Sequence, residues 1–222
     1  MKKNRSIAPV WALVFGAVML LWSTAYTKDK FPDPPAEAMG APGSTQTAVL
    51  AGGCFWGMEG IFERLKGVMD VTSGYSGGEA QTAHYKIVTT GTTGHAESIR
   101  VTFDPSSISY RELLKVFFSV AHNPTQLDYQ GPDLGSQYRS AVFYANELQK
   151  RIAEEYIRTL ERERVYKNPI VTQVVPLKEF YQAEDYHQDF MVRNPNHPYI
   201  VYWDIPKVEN LKKAFPEMVV RP

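Results

Sequence analysis

The chain has 222 residues, with 24 Lys+Arg balanced by 24 Asp+Glu and 44% hydrophobic residues. That composition is globular rather than disordered, and the length suits one domain or at most two. The neutral balance excludes bulk attraction to nucleic acid. A single cysteine, Cys54, excludes an intramolecular disulfide and any cysteine-based zinc knuckle.

Lys2, Lys3 and Arg5 precede an apolar run from Ile7 to Trp22, and no charge falls between Ser6 and Thr27. Small residues follow at Ser23-Thr24-Ala25. Residues 1–27 read as a secretory signal, cleaved after Ala25, or as a membrane anchor through residues 7–27. As a helix the uncharged stretch would span roughly 33 Å, enough for a bilayer. The basic start places the rest of the chain outside the cytoplasm, so the expected location is exported, periplasmic or otherwise extracytoplasmic. Residues 28–45 are rich in Pro and Gly without apolar period and read as a linker. A catalytic domain is expected over 46–205 and a C-terminal tail over 206–222.

Thr47 to Ala51 predicts a buried strand before two glycines. Met58, Ile61, Phe62 and Leu65 then fall at helical spacing, up to Gly67. Strands are expected over 68–75 and 95–103. Ser109 and Glu112 form a capping box ahead of Leu113, Val116, Phe117 and Val120. A strand over 139–144 leads to a helix capped by Asn146, with Leu148, Ile152, Tyr156 and Leu160 inward. Its i,i+4 charges, Glu147–Arg151 and Glu154–Arg158 among them, read as a solvated face. A last strand covers 170–175. The order β-α-β-β-α-β, plus an extra helix and strand, predicts an α+β fold: a ferredoxin-like sandwich with a mostly antiparallel sheet.

Chemistry concentrates at Gly52-Gly53-Cys54-Phe55-Trp56-Gly57. Cys54 opens a helix, where unpaired amides and the helix dipole favour an anion, so the local reading is a thiol of lowered pKa. The bland alternative is a small buried hydrophobe in a strand-helix turn. Phe55 and Trp56 suit a core as well as a pocket wall. In the strand 95–103, alternate residues share a face, which sets Glu97 with Ile99, Val101 and Phe103. A carboxyl on an apolar face keeps its proton and can act as a general acid near neutral pH. A strand-end glutamate reaching water is the competing reading. Glu59, five residues after Cys54, points about 140° away around the helix. The histidines, His84, His95, His122, His187 and His197, show no metal-binding frame, so no metal is expected. A Cys-His hydrolase or acyltransferase and an exported binding module remain alternatives on these residues alone.

Gly53-Cys54-Phe55-Trp56-Gly57 resembles the active-site motif of the A-type peptide methionine sulfoxide reductases. Further segments resemble the same family, in order. They are Gly74 to Gly78, Tyr85, Gly91 to Glu97, His122 to Thr125, Asp133 to Ser140, and Ala183 to Gln188. The similarity runs from about Thr47 to Phe190. It implies that Cys54 is the nucleophile on the sulfoxide sulfur and Glu97 the acid at its oxygen. Tyr85 and Tyr138 would hydrogen-bond that oxygen, Asp133 would order the site, and Phe55 and Trp56 would hold the S-methyl group. The expected substrate is methionine-S-sulfoxide, free or in proteins, reduced without metal or organic cofactor. Family members often carry further cysteines that resolve the sulfenic acid. This chain has none, so an external thiol reductant, thioredoxin-like or small, is implied.

Overall fold

A computed structural model describes residues 31–34 and 43–220. The signal or anchor segment and most of the linker lie outside the described residues.

In chain order the elements are β1 (Gln46–Gly52), α1 (Phe55–Phe62), β2 (Val68–Ser76), α2 (Tyr85–Val88) and β3 (Ala96–Phe103). Then come α3 (Tyr110–Val116), β4 (Tyr129–Gln130), β5 (Asp133–Leu134), β6 (Ser140–Tyr144) and α4 (Glu147–Arg162). They are followed by β7 (Gln173–Pro176), β8 (Phe180–Gln182), α5 (Phe190–Arg193) and α6 (Ile205–Ala214). Six strands form one sheet in the order β7-β6-β1-β3-β2-β8, and β4 pairs with β5 as a separate hairpin. Among the described residues only the β6–β7 pairing is parallel. The fold is α+β, as expected. Its inner four strands, β6-β1-β3-β2, are compatible with a split β-α-β arrangement.

The period of two sorts β1 between the sheet faces. Ala48 and Leu50 join the main core, while Val49 and Ala51 join Ala96, Ala141 and Phe143 on the other face. The same alternation sends Ile99, Val101 and Phe103 of β3 into the main core beneath α1. Arg100 goes to the opposite face, 4.9 Å over the Phe180 ring. Ser109 and Glu112 make the expected capping box. Asn146 caps α4 by accepting from the Gln149 amide at 3.0 Å.

Several expectations need correction. The helix carrying Met58 is shorter than its apolar period, ending at Phe62, with Leu65 in the following turn. Leu148 is 49% exposed. The inward stripe of α4 is instead Gln149, Ile152, Ala153, Tyr156 and Leu160, because Leu148 sits one position off the buried face. Glu154 pairs with Arg158 at 3.9 Å, but Glu147 reaches Lys150 at 3.7 Å. The tail expected over 206–222 is built into the domain as far as Val220. Val208, Leu211 and Ala214 of α6, with Phe215, are buried in the main core. Val219 bridges Leu65, and the Lys66 amide donates to the Met218 carbonyl at 2.8 Å. These apolar positions recur at helical spacing between lysines, and that stripe needs a partner surface. Part of the expected linker is also docked. Phe31 is buried against the Tyr166 ring, Asp33 pairs with Lys115 at 2.7 Å, and Tyr156 Oη donates to the Pro32 carbonyl.

Candidate active site

β1 is a central strand, and its C-terminal end delivers the chain to Gly53, whose φ is +95°. A Cβ there would meet Gln130 Cβ at 2.6 Å, so the turn needs glycine for conformation and for space. Cys54 follows at the N-cap of α1 and is only 8% exposed. The first amide of the helix, on Phe55, donates to Glu97 Oε2 at 3.1 Å. β3 thus brings the expected acid to the thiol through a contact 42 residues apart in sequence.

Glu97 is 2% exposed. Burial pushes its carboxyl up to about 8; the Phe55 amide opposes this and Asp133 adds to it. Glu97 therefore stays protonated at neutral pH, as the apolar face predicted. The Cys54 expectation is reversed in sign. Burial pushes the thiol well above its ordinary value, Glu97 and Asp204 push it further, and the Trp56 amide only partly offsets them. A local reading of the helix N-terminus misses two carboxyls that arrive from distant segments.

The other expected residues gather around this pair. Tyr85 opens α2, its amide donating to Glu184 Oε1 at 2.9 Å. Burial pushes its phenol up to about 12, with Glu97 and Cys54 contributing, so it remains a proton donor. Tyr138 is likewise held as a neutral phenol by burial, Glu97 and Asp133. Asp133 accepts a hydrogen bond from Tyr199 Oη. Trp56 is half-buried and stacks on Phe190, centroids 3.7 Å apart at 8°. Its indole N–H donates to His187 Nδ1 at 3.1 Å. Phe55, in contrast, is buried behind the site between Tyr75 and His187. Glu59 is indeed apart from the thiol: its charged neighbours are Glu63 and Asp189.

Three contributors were not found from the sequence. Tyr199 stands edge-on to Trp56 at 5.8 Å and holds Asp133. His187 fixes the indole, and Asp204 lies against α1. The first two had weak signals: Tyr199 lies in an aromatic run, and His187 in a polar turn. Asp204 had none.

No histidine serves Cys54 as a base among the described residues. His122 is bonded to Ser140 Oγ at 2.6 Å and to the Phe117 carbonyl. His95 is engaged with Gly78 and Glu79, and His187 with Trp56. None of these three rings is bonded to Cys54 among the described residues, and His187 Nε2 has no partner. What remains is a lone buried thiol beside a protonated carboxyl and several neutral phenols, lined by a tryptophan. A thiol beside proton donors is the equipment of a thiol-based oxidoreductase that reduces an oxygen-bearing group.

Comparison with known proteins agrees. Residues 46–218 match the family model described as peptide methionine sulfoxide reductase. A peptide methionine sulfoxide reductase of Mesorhizobium japonicum is 57% identical over 178 residues, covering 80% of this chain and 91% of the relative. One from Sulfolobus acidocaldarius is 50% identical over 172 residues, covering 78% and 96%. Among solved structures, methionine sulfoxide reductase A of Corynebacterium diphtheriae is 34% identical. It aligns with a TM-score of 0.60 over 76% of this chain and 85% of its own. The chain belongs to the peptide methionine sulfoxide reductase family, and the reaction is reduction of methionine sulfoxide in repair of oxidative damage.

Proposed function

We propose that Cys54 is the sulfur nucleophile and Glu97 the acid in reduction of methionine-S-sulfoxide, free or within proteins. The observation that carries this reading is the Glu97 carboxyl, protonated at neutral pH and bonded to the amide that follows Cys54. The Cys54 sulfur attacks the sulfoxide sulfur while Glu97 gives its proton to the sulfoxide oxygen. Tyr85 and Tyr138 donate hydrogen bonds to the same oxygen as its charge grows. Asp133, held by Tyr199, orders that side of the site. The thiol proton returns to Glu97, the sulfur–oxygen bond of the substrate breaks, and the oxygen ends on Cys54 as a sulfenic acid. Methionine leaves, two electrons richer. Trp56, steadied by His187 and Phe190, offers an apolar face to the S-methyl group, and Phe55 supports it from behind.

Cys54 is the only cysteine, so the sulfenic acid has no partner thiol in the chain. An external thiol, thioredoxin-like or small, attacks it, releasing water and leaving a mixed disulfide; a second thiol restores Cys54. A redoxin lacking its second cysteine should be trapped on Cys54 in a non-reducing gel, and absence of any adduct speaks against this route. Separate turnover assays with the two sulfoxide epimers and a chemical dithiol test the reaction itself. The S epimer is expected to turn over and the R epimer not, with all activity lost in Cys54→Ser. Retained turnover in that variant overturns the scheme.

We also propose that the enzyme works outside the cytoplasm, delivered or anchored by its first 27 residues. The basic start and the 22-residue uncharged stretch support this. Native protein from the cell envelope should begin at Tyr26, or be intact and require detergent. Intact protein freely soluble in the cytosol would contradict export.

A further inference from the structure

Asp204 is the one fully buried carboxylate that reaches the first turn of α1 from the C-terminal segment. Its exposure is 0%, and its Oδ2 has no hydrogen-bond partner. Oδ1 pairs with Lys207 at 3.2 Å. A Cβ built on Gly57 would lie 2.1 Å from Asp204 Oδ1. The carboxylate therefore occupies the space that any side chain at position 57 would need. Gly57 is the third residue of α1, in the turn whose amides have no partner within the helix. The Phe55 amide of that turn is taken by Glu97, and the Trp56 amide serves the Cys54 sulfur.

We propose that Asp204 is a positioning residue of the reductase site, its carboxylate packed against the first turn of α1 where it disfavours a second anion at Cys54. Two anions packed against one turn of a buried helix repel each other at close range. Burial pushes the Asp204 carboxyl up and its pairing with Lys207 opposes that; wherever Asp204 is ionised, a thiolate at Cys54 forms at a disadvantage. A resting thiol reacts slowly with oxidants and electrophiles, which act on the thiolate. That matters in a chain whose only cysteine has no second thiol to rescue it. The inference rests on Cys54 being the nucleophile, but its test does not use sulfoxide turnover.

The charged and titratable groups facing Cys54 are Glu97 from β3, Asp133 from β5, and Asp204 from the turn before α6. The phenols of Tyr85, Tyr138 and Tyr199 surround them. Lys207 faces Asp204 and Asp133. Asp204→Asn keeps the shape and removes the negative charge while leaving Lys207 cationic. The double variant Asp204→Asn/Lys207→Met removes both charges of the pair. The readout is the rate of Cys54 alkylation by iodoacetamide across pH, in which the S–C bond forms and iodide leaves. The expected order of apparent thiol pKa is wild type highest, the double variant intermediate and Asp204→Asn lowest. The gap from wild type to Asp204→Asn should be about one unit, or roughly ten-fold faster alkylation at neutral pH. A merely structural role does not order the variants by charge. If Asp204→Asn does not fold, the neutral pair carries the test, since buried ion pairs are often replaceable by neutral residues of similar volume. Alkylation profiles that superimpose on wild type overturn the proposal, whether or not the variants still reduce sulfoxide.

Discussion

At the scale of single residues, the site depends on two groups that both hold protons at rest. Glu97 is an acid only while protonated, and burial keeps it so up to about pH 8. Its service is therefore available below that pH and lost as pH rises through it. Single-turnover rates of the wild type should fall above about pH 8. Glu97→Gln should be slower at pH 7 by roughly the 10²–10⁴-fold typical of a lost general acid, and its profile should lack that alkaline fall. Equal rates at pH 7 would move the acid to a phenol, Tyr85 first. Glu97 was legible because strand alternation is a local rule: Ile99, Val101 and Phe103 mark the buried face, and Glu97 keeps their parity. The protonation of Cys54 was not legible. Its sign depends on Glu97 and Asp204, which tertiary structure alone brings to α1.

Among the elements, α1 is held from two directions, by the sheet below and by the C-terminal segment beside it. That second support is what a sequence reading of 206–222 as a tail omitted. Lysines between the apolar positions hid a stripe formed by Val208, Leu211, Ala214 and Phe215. The capping box at Ser109 and the Asn146 cap were readable because both ends of each interaction lie within three residues. A helix that docks on distant residues has no such signature. If the stripe is core, Phe215→Ala should cost about 3–5 kcal/mol, the usual range for a buried phenylalanine. Denaturant unfolding followed by circular dichroism measures it. An unchanged midpoint would restore the tail and leave Asp204 without a fixed platform.

For the molecule as a whole, buried acids tie stability to pH. Glu59 is buried, and burial together with Glu63 pushes it up from 4.5 to about 8, with Ser73 opposing. Glu97 rises for the same leading reason. Between pH 4.5 and about 8 the unfolded chain releases protons that the folded chain keeps, so stability falls as pH rises across that window. Glu59→Gln removes one such proton. Its Tm should exceed that of wild type at pH 8 by a few degrees and lose that advantage near pH 4.5. A Tm difference that does not change with pH would show that Glu59 is ionised in the folded protein. The chain order of strands and helices carried most of the α+β architecture, because β1 is an unbroken apolar run, β3 alternates, and α4 sets Ile152, Tyr156 and Leu160 at helical spacing. The β4–β5 hairpin and the placement of Tyr199 against Asp133 did not follow from any period, since short irregular segments are set by what they pack on.

In the proposed mechanism one sulfur, on Cys54, takes the oxygen from methionine sulfoxide. Its most direct test is a single-turnover experiment with reduced protein and one equivalent of the S sulfoxide in the absence of any reductant, read by intact-mass spectrometry and methionine release. About one methionine per chain is expected, with a mass gain of one oxygen that maps to Cys54 and disappears on adding thiol. Methionine released with no oxygen gained at Cys54, or an oxygen found elsewhere in the chain, would contradict it.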